Sequence, residues 1–171
     1  TRLKAPHGSR HAILYCHGGG YTSGNLGYSR VLSSKLAHAT GYDVLSFEYR
    51  LAPEFPYPAA AEDALRAWDY LMLQGYGARD IVLAGDSAGG NLALVLCNRL
   101  KAAGRKLPGA LILMSPWTDM TMSGQSYTER AEIDPMLTPE YIEAVRLAYA
   151  AGRDYRSSDL SPLFADFTGF P

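Results

Sequence analysis

The chain has 171 residues and a hydrophobic fraction of 47%, and its 16 Lys and Arg residues nearly balance its 17 Asp and Glu residues, for a net charge of −1. This length and apolar content suffice for one domain with a substantial core. The balanced charge argues against nucleic acid or an anionic membrane surface as the main partner, and no apolar stretch is long enough to cross a bilayer.

The first half of the chain alternates strand and helix patterns. An apolar run at residues 11–16 (HAILYC) predicts a buried strand, and DVLSFEY at residues 43–49 predicts a second one. Between them, residues 28–40 have helical spacing and end before Gly41, a typical helix stop. The clearest amphipathic helix is predicted over residues 59–74, where apolar and charged side chains fall on opposite faces.

The same alternation continues through the middle of the chain. IVLA at residues 81–84 predicts a third strand, which ends at Gly85, and ALILM at residues 110–114 predicts a fourth. Residues 88–103 are apolar nearly all round, which is typical of a helix packed under a sheet. Strands that alternate with helices predict the α/β class, with a mostly parallel sheet and helices on both faces.

After the fourth strand the alternation stops. Residues 118–126 are polar and rich in turn formers. The next helix is predicted to begin with Thr138 as its N-cap and Pro139 at its first position, and to run to Ala151. No strand pattern accompanies it. We therefore expect residues 118–158 to form an excursion from the sheet, as part of a helical lid.

Residues 85–89 (GDSAG) match G-x-S-x-G, the pattern of a nucleophile elbow. A serine between the end of a strand and the start of a helix must adopt a strained turn, and small neighbours let the backbone and the helix approach closely. The predicted strand before the motif and the apolar helix after it supply this context. The alternative is a glycine-rich strand-to-helix turn in which the serine only caps the helix.

A glycine triplet follows the first predicted strand, in HGGG at residues 17–20. Consecutive glycines cost backbone entropy, and an oxyanion hole is a chemical reason for them, because its N–H groups must reach a developing charge without interference from a Cβ atom. A dinucleotide-binding loop is the rival interpretation. However, position 23 is Ser, and no acidic residue with a matching helix follows the next strand.

The cysteines and histidines do not indicate a metal site. The histidines are scattered, and no Cys or His pair has ligand spacing. Cys16 and Cys97 each lie in an apolar run, so buried free thiols are expected rather than a disulfide. Together with the composition, this predicts a soluble, cytoplasmic protein that needs no metal or other cofactor.

Five segments carry a resemblance to a known family: HGGG at 17–20, YRLAPE at 49–54, GDSAGG at 85–90, SPWTD at 115–119 and DPM at 134–136. They occur in the order seen in the hormone-sensitive-lipase-like family of α/β-hydrolases, and the resemblance covers nearly the whole chain. It implies a partial domain of the α/β-hydrolase fold over residues 1–171. It also implies a serine carboxylesterase that hydrolyses small or short-acyl esters through an acyl-enzyme, although some members of the family cleave amides or lactones.

The resemblance also implies roles for individual residues. It makes Ser87 the nucleophile, Gly18 the residue that allows the loop to turn, and His17 a brace of that loop through a side-chain hydrogen bond. Arg50 and Glu54 are expected to form a structural polar network. The oxyanion hole would consist of the backbone N–H groups of Gly19, Gly20 and Ala88. Candidates to line the substrate pocket are Tyr21, Trp117, Met120 and Met136.

The general base and its orienting acid are missing from this sequence. In α/β-hydrolases they follow the nucleophile in the order Ser, acid, His. Here all four histidines precede Ser87, namely His7, His11, His17 and His38. Apart from the loop brace, these histidines are expected at the surface or as caps. Asp119 and Asp134 are expected to be loop residues.

We therefore expect a chain truncated at both ends, with an exposed edge strand and with the acid and base beyond Pro171. The complete protein would act on a small-molecule ester and could pair as a homodimer. Two alternatives stay open. One is a ligand-binding receptor on the same scaffold, as in a plant branch of the family, and the other is a non-catalytic fragment.

Overall fold

The computed structural model of the protein describes residues 1–5 and 8–171, so the expectation for His7 lies outside the described residues. Within these ranges the strands are β1 (Arg2–Leu3), β2 (Ala12–Cys16), β3 (Asp43–Ser46), β4 (Ile81–Asp86) and β5 (Ala110–Met114). They form one five-stranded sheet in the order β1-β3-β2-β4-β5. β1 pairs antiparallel to β3, and the other neighbours are parallel. The predicted mostly parallel α/β sheet is therefore confirmed.

The helices are α1 (Leu26–Thr40), α2 (Ala59–Leu73), α3 (Ala88–Ala102), α4 (Ser126–Glu129) and α5 (Pro139–Ala150). Local capping explains where two of them begin. The Asn25 side chain accepts a hydrogen bond from the third residue of α1, which therefore begins two residues before the predicted start. Thr138 caps α5 in the same way, with Pro139 at the first position, as predicted. α4 is a short helix that the turn-rich sequence did not predict.

Helices cover both faces of the sheet. On one face, α2 and α3 bury a large core that includes Trp68, Leu92 and Leu96. On the other face, α1 contributes Leu32 and Leu36 to a smaller cluster against β2 and β3. Cys16 and Cys97 are free and buried, as expected. α3 packs directly under β4, so the strand and the helix on either side of the Ser87 turn both contact the core.

Besides the earlier start of α1 and the presence of α4, three features differ from the sequence prediction. β1 was not predicted, and β3 ends at Ser46, because residues 47–49 leave the sheet and turn towards the loop after β2. Arg50 does form a structural ion pair, but its partners are Asp63 and Glu62 of α2, each at 2.9 Å. Glu54 is exposed and takes no part in that network in the described ranges, so its inclusion was wrong.

Residues 118–158 contain α4 and α5 and no strand, and their assignment to a lid stays a prediction. None of the helices in the described part of the chain has both the length and the apolar character needed to span a membrane.

Candidate active site

Ser87 occupies the sharp turn between β4 and α3. Its backbone has φ 52° and ψ −120°, in the positive-φ region that residues with a Cβ atom rarely adopt. The turn is held from the neighbouring strand: the N–H of Ser87 donates to the carbonyl of Met114 and the N–H of Trp117 donates to the carbonyl of Ser87, both over 3.0 Å. Strain of this kind persists only where the surroundings impose it, and it presents the serine at the end of the sheet.

The small residues after Ser87 allow α3 to approach the sheet. A Cβ atom on Gly89 would lie only 2.1 Å from the carbonyl oxygen of Cys16 and 2.5 Å from that of His17. The first turn of α3 is therefore in direct backbone contact with the end of β2. This contact brings the positive end of the helix dipole close to Ser87 and to the loop that follows β2.

That loop spans residues 17–24 and contains HGGG at residues 17–20, the segment predicted to supply part of an oxyanion hole, and we call it the oxyanion loop. Gly19 has φ +116°, and its carbonyl accepts hydrogen bonds from the N–H groups of Thr22 and Ser23 over 3.1 and 2.9 Å. Among residues 1–5 and 8–171, no acceptor takes a hydrogen bond from the backbone N–H of three residues: Gly19, Gly20 and Ala88. These N–H groups are free to receive an oxygen atom from a bound molecule.

His17 braces the base of this loop. Its side chain is almost fully buried, and Nδ1 lies 2.7 Å from the carbonyl oxygen of Gly18. Burial lowers the pKa of His17 below its ordinary value, so the ring is neutral and Nδ1 carries the proton that Gly18 accepts. In the described ranges no imidazole is hydrogen-bonded to Ser87, so His17 has the position of a support and not of a base.

Asp86 is the residue that the sequence analysis missed. Its carboxylate accepts three hydrogen bonds: from the N–H of Gly18 over 3.0 Å, from the hydroxyl of Tyr15, and from the hydroxyl of Tyr28 over 3.1 Å. It thus joins β2, the oxyanion loop and α1 directly beside Ser87. Burial and the hydrogen bond to Asp86 together raise the pKa of Tyr15, which stays a donor. The sequence did contain a signal for this role of Asp86. It is an aspartate directly before the candidate nucleophile, at the end of a strand whose neighbour in the sheet is followed by a glycine-rich loop.

A cleft of about 880 Å³ opens over Ser87. One wall consists of the oxyanion loop, the elbow and Tyr28, which is hydrogen-bonded to Asp86, and Trp117 also lines the cleft. The lining also includes residues of α4, α5 and the turn between them, namely Tyr127, Arg130, Met136, Leu137 and Tyr141. Because most of these side chains are apolar or aromatic, the cleft suits a compact organic group.

Two of the four predicted pocket residues are in this cleft and two are not. Trp117 and Met136 line it, whereas Tyr21 and Met120 are fully buried in the core. The Tyr21 hydroxyl donates to Asn91 over 2.6 Å, and its ring stacks on a second buried tyrosine. The N–H of Met120 donates to a serine hydroxyl over 2.8 Å. Both predictions were wrong, because both residues are fully buried in the core and neither lines the cleft.

The remaining titratable candidates are structural or at the surface. Asp119 accepts hydrogen bonds from the N–H groups of Thr121 and Ser123, and Asp134 accepts from two N–H groups that follow it, so both stabilise turns. His11 and His38 are exposed. No group of three His, Cys, Asp or Glu residues suited to a metal ion occurs in residues 1–5 and 8–171.

Comparison with known proteins gives consistent matches. Residues 13–171 match the model of a family described by the alpha/beta hydrolase fold. An acetyl-hydrolase of Streptomyces hygroscopicus is 42% identical over 159 residues, which cover 93% of this chain and 53% of that protein. An esterase of Acinetobacter venetianus is 37% identical over 171 residues, which cover 99% of this chain and 56% of that protein.

Solved structures that are similar to this chain also belong to an esterase and a lipase. An esterase from the bacterial hormone-sensitive lipase family matches with a TM-score of 0.94 and 40% identity, over 99% of this chain and 58% of that one. A hormone-sensitive lipase from a metagenome library matches with a TM-score of 0.94 and 36% identity. The chain spans a little more than half the length of the relatives it matches.

Proposed function

The chain belongs to the α/β-hydrolase fold family, and from this premise we propose that the protein containing it is a serine carboxylesterase that hydrolyses small or short-acyl esters through an acyl-enzyme. One observation carries the proposal. Ser87 is held at φ 52° in a cleft whose adjoining loop and helix leave the N–H groups of Gly19, Gly20 and Ala88 without acceptors. A partly exposed serine beside free N–H donors is the arrangement that acyl transfer requires.

The proposed reaction has two steps. Ser87 Oγ attacks the ester carbonyl, its proton passes to a base, and the alcohol leaves to give an acyl-enzyme. Water then attacks the acyl group, and the acid is released. In both steps the carbonyl oxygen becomes negative and accepts hydrogen bonds from the three free N–H groups, each contributing about 3 kcal/mol to the barrier reduction.

We propose that the general base and its orienting acid come from the rest of the protein. No imidazole pairs with Ser87 in the described ranges, and the four histidines of this sequence all precede it. The N-terminal end of α3 adds a favourable field at the reacting oxygen, independently of the base.

The proposed substrate class rests on the cleft and on a relative. The cleft volume of about 880 Å³ and its apolar walls suit a compact ester, and one relative is named an acetyl-hydrolase. We also propose that the protein acts in the cytoplasm, because its cysteines are free thiols. Pairing as a homodimer through an edge strand is a further proposal, which light scattering of the full-length protein tests.

The decisive experiment treats the full-length protein with a fluorophosphonate probe and assays p-nitrophenyl acetate. We expect labelling of Ser87 and turnover, both abolished by Ser87→Ala. Ser34→Ala, which changes an exposed serine of α1 that does not line the cleft, is the matched control and should retain both. Absence of labelling and of turnover in the native protein would overturn the esterase proposal and favour a ligand-binding receptor or a non-catalytic protein.

A further inference from the structure

Tyr28 is a large side chain in the cleft that the proposed reaction does not use. It lies in the first turn of α1 and lines the same wall as Gly18, Asp86 and Ser87. Tyr28 is 58% exposed, and it is one of the residues that line the cleft. An aromatic ring in this place reduces the space next to the nucleophile.

Both ends of Tyr28 are held. At the backbone, its N–H donates to the side chain of Asn25, the N-cap of α1, over 3.0 Å. At the far end of the ring, its hydroxyl donates to Oδ2 of Asp86 over 3.1 Å. A tyrosine on a surface helix would otherwise rotate freely about its side-chain bonds. Fixed at both ends, the ring acts as a wall that an incoming substrate group must fit against.

Asp86, which holds the hydroxyl of Tyr28, is itself held in place by two further hydrogen bonds. The other oxygen of Asp86 accepts from the N–H of Gly18 and from the Tyr15 hydroxyl, both of which belong to or follow β2. Since Asp86 directly precedes Ser87, the position of the ring is tied to that of the nucleophile. Tyr141 and Leu137 also line the cleft, so a substrate group bound there shares a limited space with the rings of Tyr28 and Tyr141.

We propose that Tyr28 is a specificity-determining residue, which limits the size of one of the two groups of the ester because Asp86 holds its ring against the cleft. This inference rests on the esterase function proposed above. Hydrophobic pockets discriminate between groups that differ by a methylene or more through such contacts, by factors of roughly 10 to 200. The tether through Asp86 makes the limit sharper than an untethered ring would.

The test uses the full-length protein and two ester series. One series varies the acyl group of p-nitrophenyl esters from acetate to octanoate, and the other varies the alcohol of acetate esters. We expect Tyr28→Ala to raise the ratio of kcat/KM for large over small substrates about tenfold in one of the two series. Tyr28→Leu should give a smaller rise, and Tyr28→Phe, which keeps the ring but loses the tether, roughly a two- to threefold rise.

Tyr70→Ala is the matched control, because Tyr70 is 43% exposed on α2 and does not line the cleft. It should leave both ratios unchanged. If the wild-type protein is active and both Tyr28→Ala and Tyr28→Leu keep both ratios within about twofold of wild type, this inference is wrong while the esterase function stands. If the wild-type protein neither turns over esters nor reacts with the fluorophosphonate probe, the esterase function fails and this inference fails with it.

Discussion

The rings of His17 and Tyr49 are stacked, with centroids 4.2 Å apart and 13° between their planes, and the Tyr49 hydroxyl donates to the backbone carbonyl of His17 over 2.7 Å. Both side chains are buried. The segment after β3 therefore clamps the residue at which the oxyanion loop begins. This contact gives a physical reason for the joint presence of YRLAPE and HGGG in one chain, since the tyrosine supports the loop from behind the cleft.

Replacement of Tyr49 by Phe tests this support. The ring stack remains, but the buried carbonyl of His17 loses its donor. We expect a loss of about 1–2 kcal/mol in the free energy of unfolding, measured by urea denaturation. Tyr70→Phe, at an exposed position of α2, should leave the urea midpoint unchanged. Equal midpoints for the Tyr49→Phe variant and the wild type would show that the hydrogen bond does not support the loop.

Asp86→Asn should affect catalysis more than binding. The amide has one acceptor oxygen for the three donors that face the carboxylate, and its NH2 group would oppose an N–H or O–H group. With Gly18 released, the oxyanion donors lose their exact placement, so we expect kcat on p-nitrophenyl acetate to fall about 10- to 100-fold with little change in KM. Asp69→Asn, which breaks a surface ion pair with Arg105, is the control. A change confined to KM would contradict this role.

Gly89→Ala should destabilise the fold, because the new Cβ atom would lie 2.1 Å from the carbonyl oxygen of Cys16. The first turn of α3 would have to move away from β2, and we expect a loss of about 2–3 kcal/mol in the free energy of unfolding. Gly124→Ala is the matched control, since its Cβ atom would meet its nearest neighbour at 3.7 Å, an ordinary contact. Thermal unfolding followed by circular dichroism compares the two variants, and equal midpoints would contradict the close approach.

The ion pair between Arg50 and Asp63 should make stability depend on pH in the acid range. Burial by itself would raise the pKa of Asp63, but hydrogen bonds from Arg50 outweigh it and leave this pKa below its usual value. The unfolded chain therefore binds the proton first, and the contribution to stability is present above about pH 4 and lost as the pH falls through the folded-state pKa.

We accordingly expect Asp63→Asn to lower the urea midpoint at about pH 7, with a difference from wild type that shrinks below about pH 4. Glu54→Gln is the control, because Glu54 is exposed and makes no ion pair in the described part of the chain. A difference that stays constant across this pH range would exclude the ion pair as its source.

Both cysteines should be unreactive in the native protein. Burial raises the pKa of Cys97 to about 12 and also raises that of Cys16, so neither forms appreciable thiolate near neutral pH. Iodoacetamide at about pH 8 should leave both peptides unmodified in mass spectra and should alkylate both after denaturation in urea. Rapid native alkylation of either cysteine would show that the core opens locally.

Local signals predicted a large part of this molecule. The helix start at Thr138 and Pro139 depends on neighbours in sequence, and so does the elbow around Ser87, whose turn needs small residues within a few positions. β1 has only two residues, and it exists because it pairs with β3 and because Arg2 forms an ion pair with Asp43 at 2.9 Å. Neither contact leaves a periodic pattern in the sequence.

The errors in the pocket have a similar cause. Tyr21 lies within the oxyanion loop and Met120 in a turn after β5, and nothing local decides whether such a residue faces a cleft or the core. In the folded protein Tyr21 is hydrogen-bonded to Asn91, 70 residues away along the chain, and Met120 to Ser161, 41 residues away. The partners of Asp86 lie 58 to 71 residues away, so its role follows from the folded sheet and not from the motif that contains it.

The pairing of β2 with β4 sets the distance between the oxyanion loop and Ser87. β2 and β4 pair in register up to Cys16 and Gly85, and the oxyanion loop and Ser87 leave the sheet within two residues of that last pair. The elbow and the oxyanion loop are therefore both anchored to central strands of the sheet, and we expect their relative position to persist in increasing urea until the sheet itself unfolds. The helices α4 and α5, which line the cleft, lie outside the sheet. Substitutions in these helices can therefore change which molecules the cleft accepts without moving Ser87 relative to the oxyanion loop.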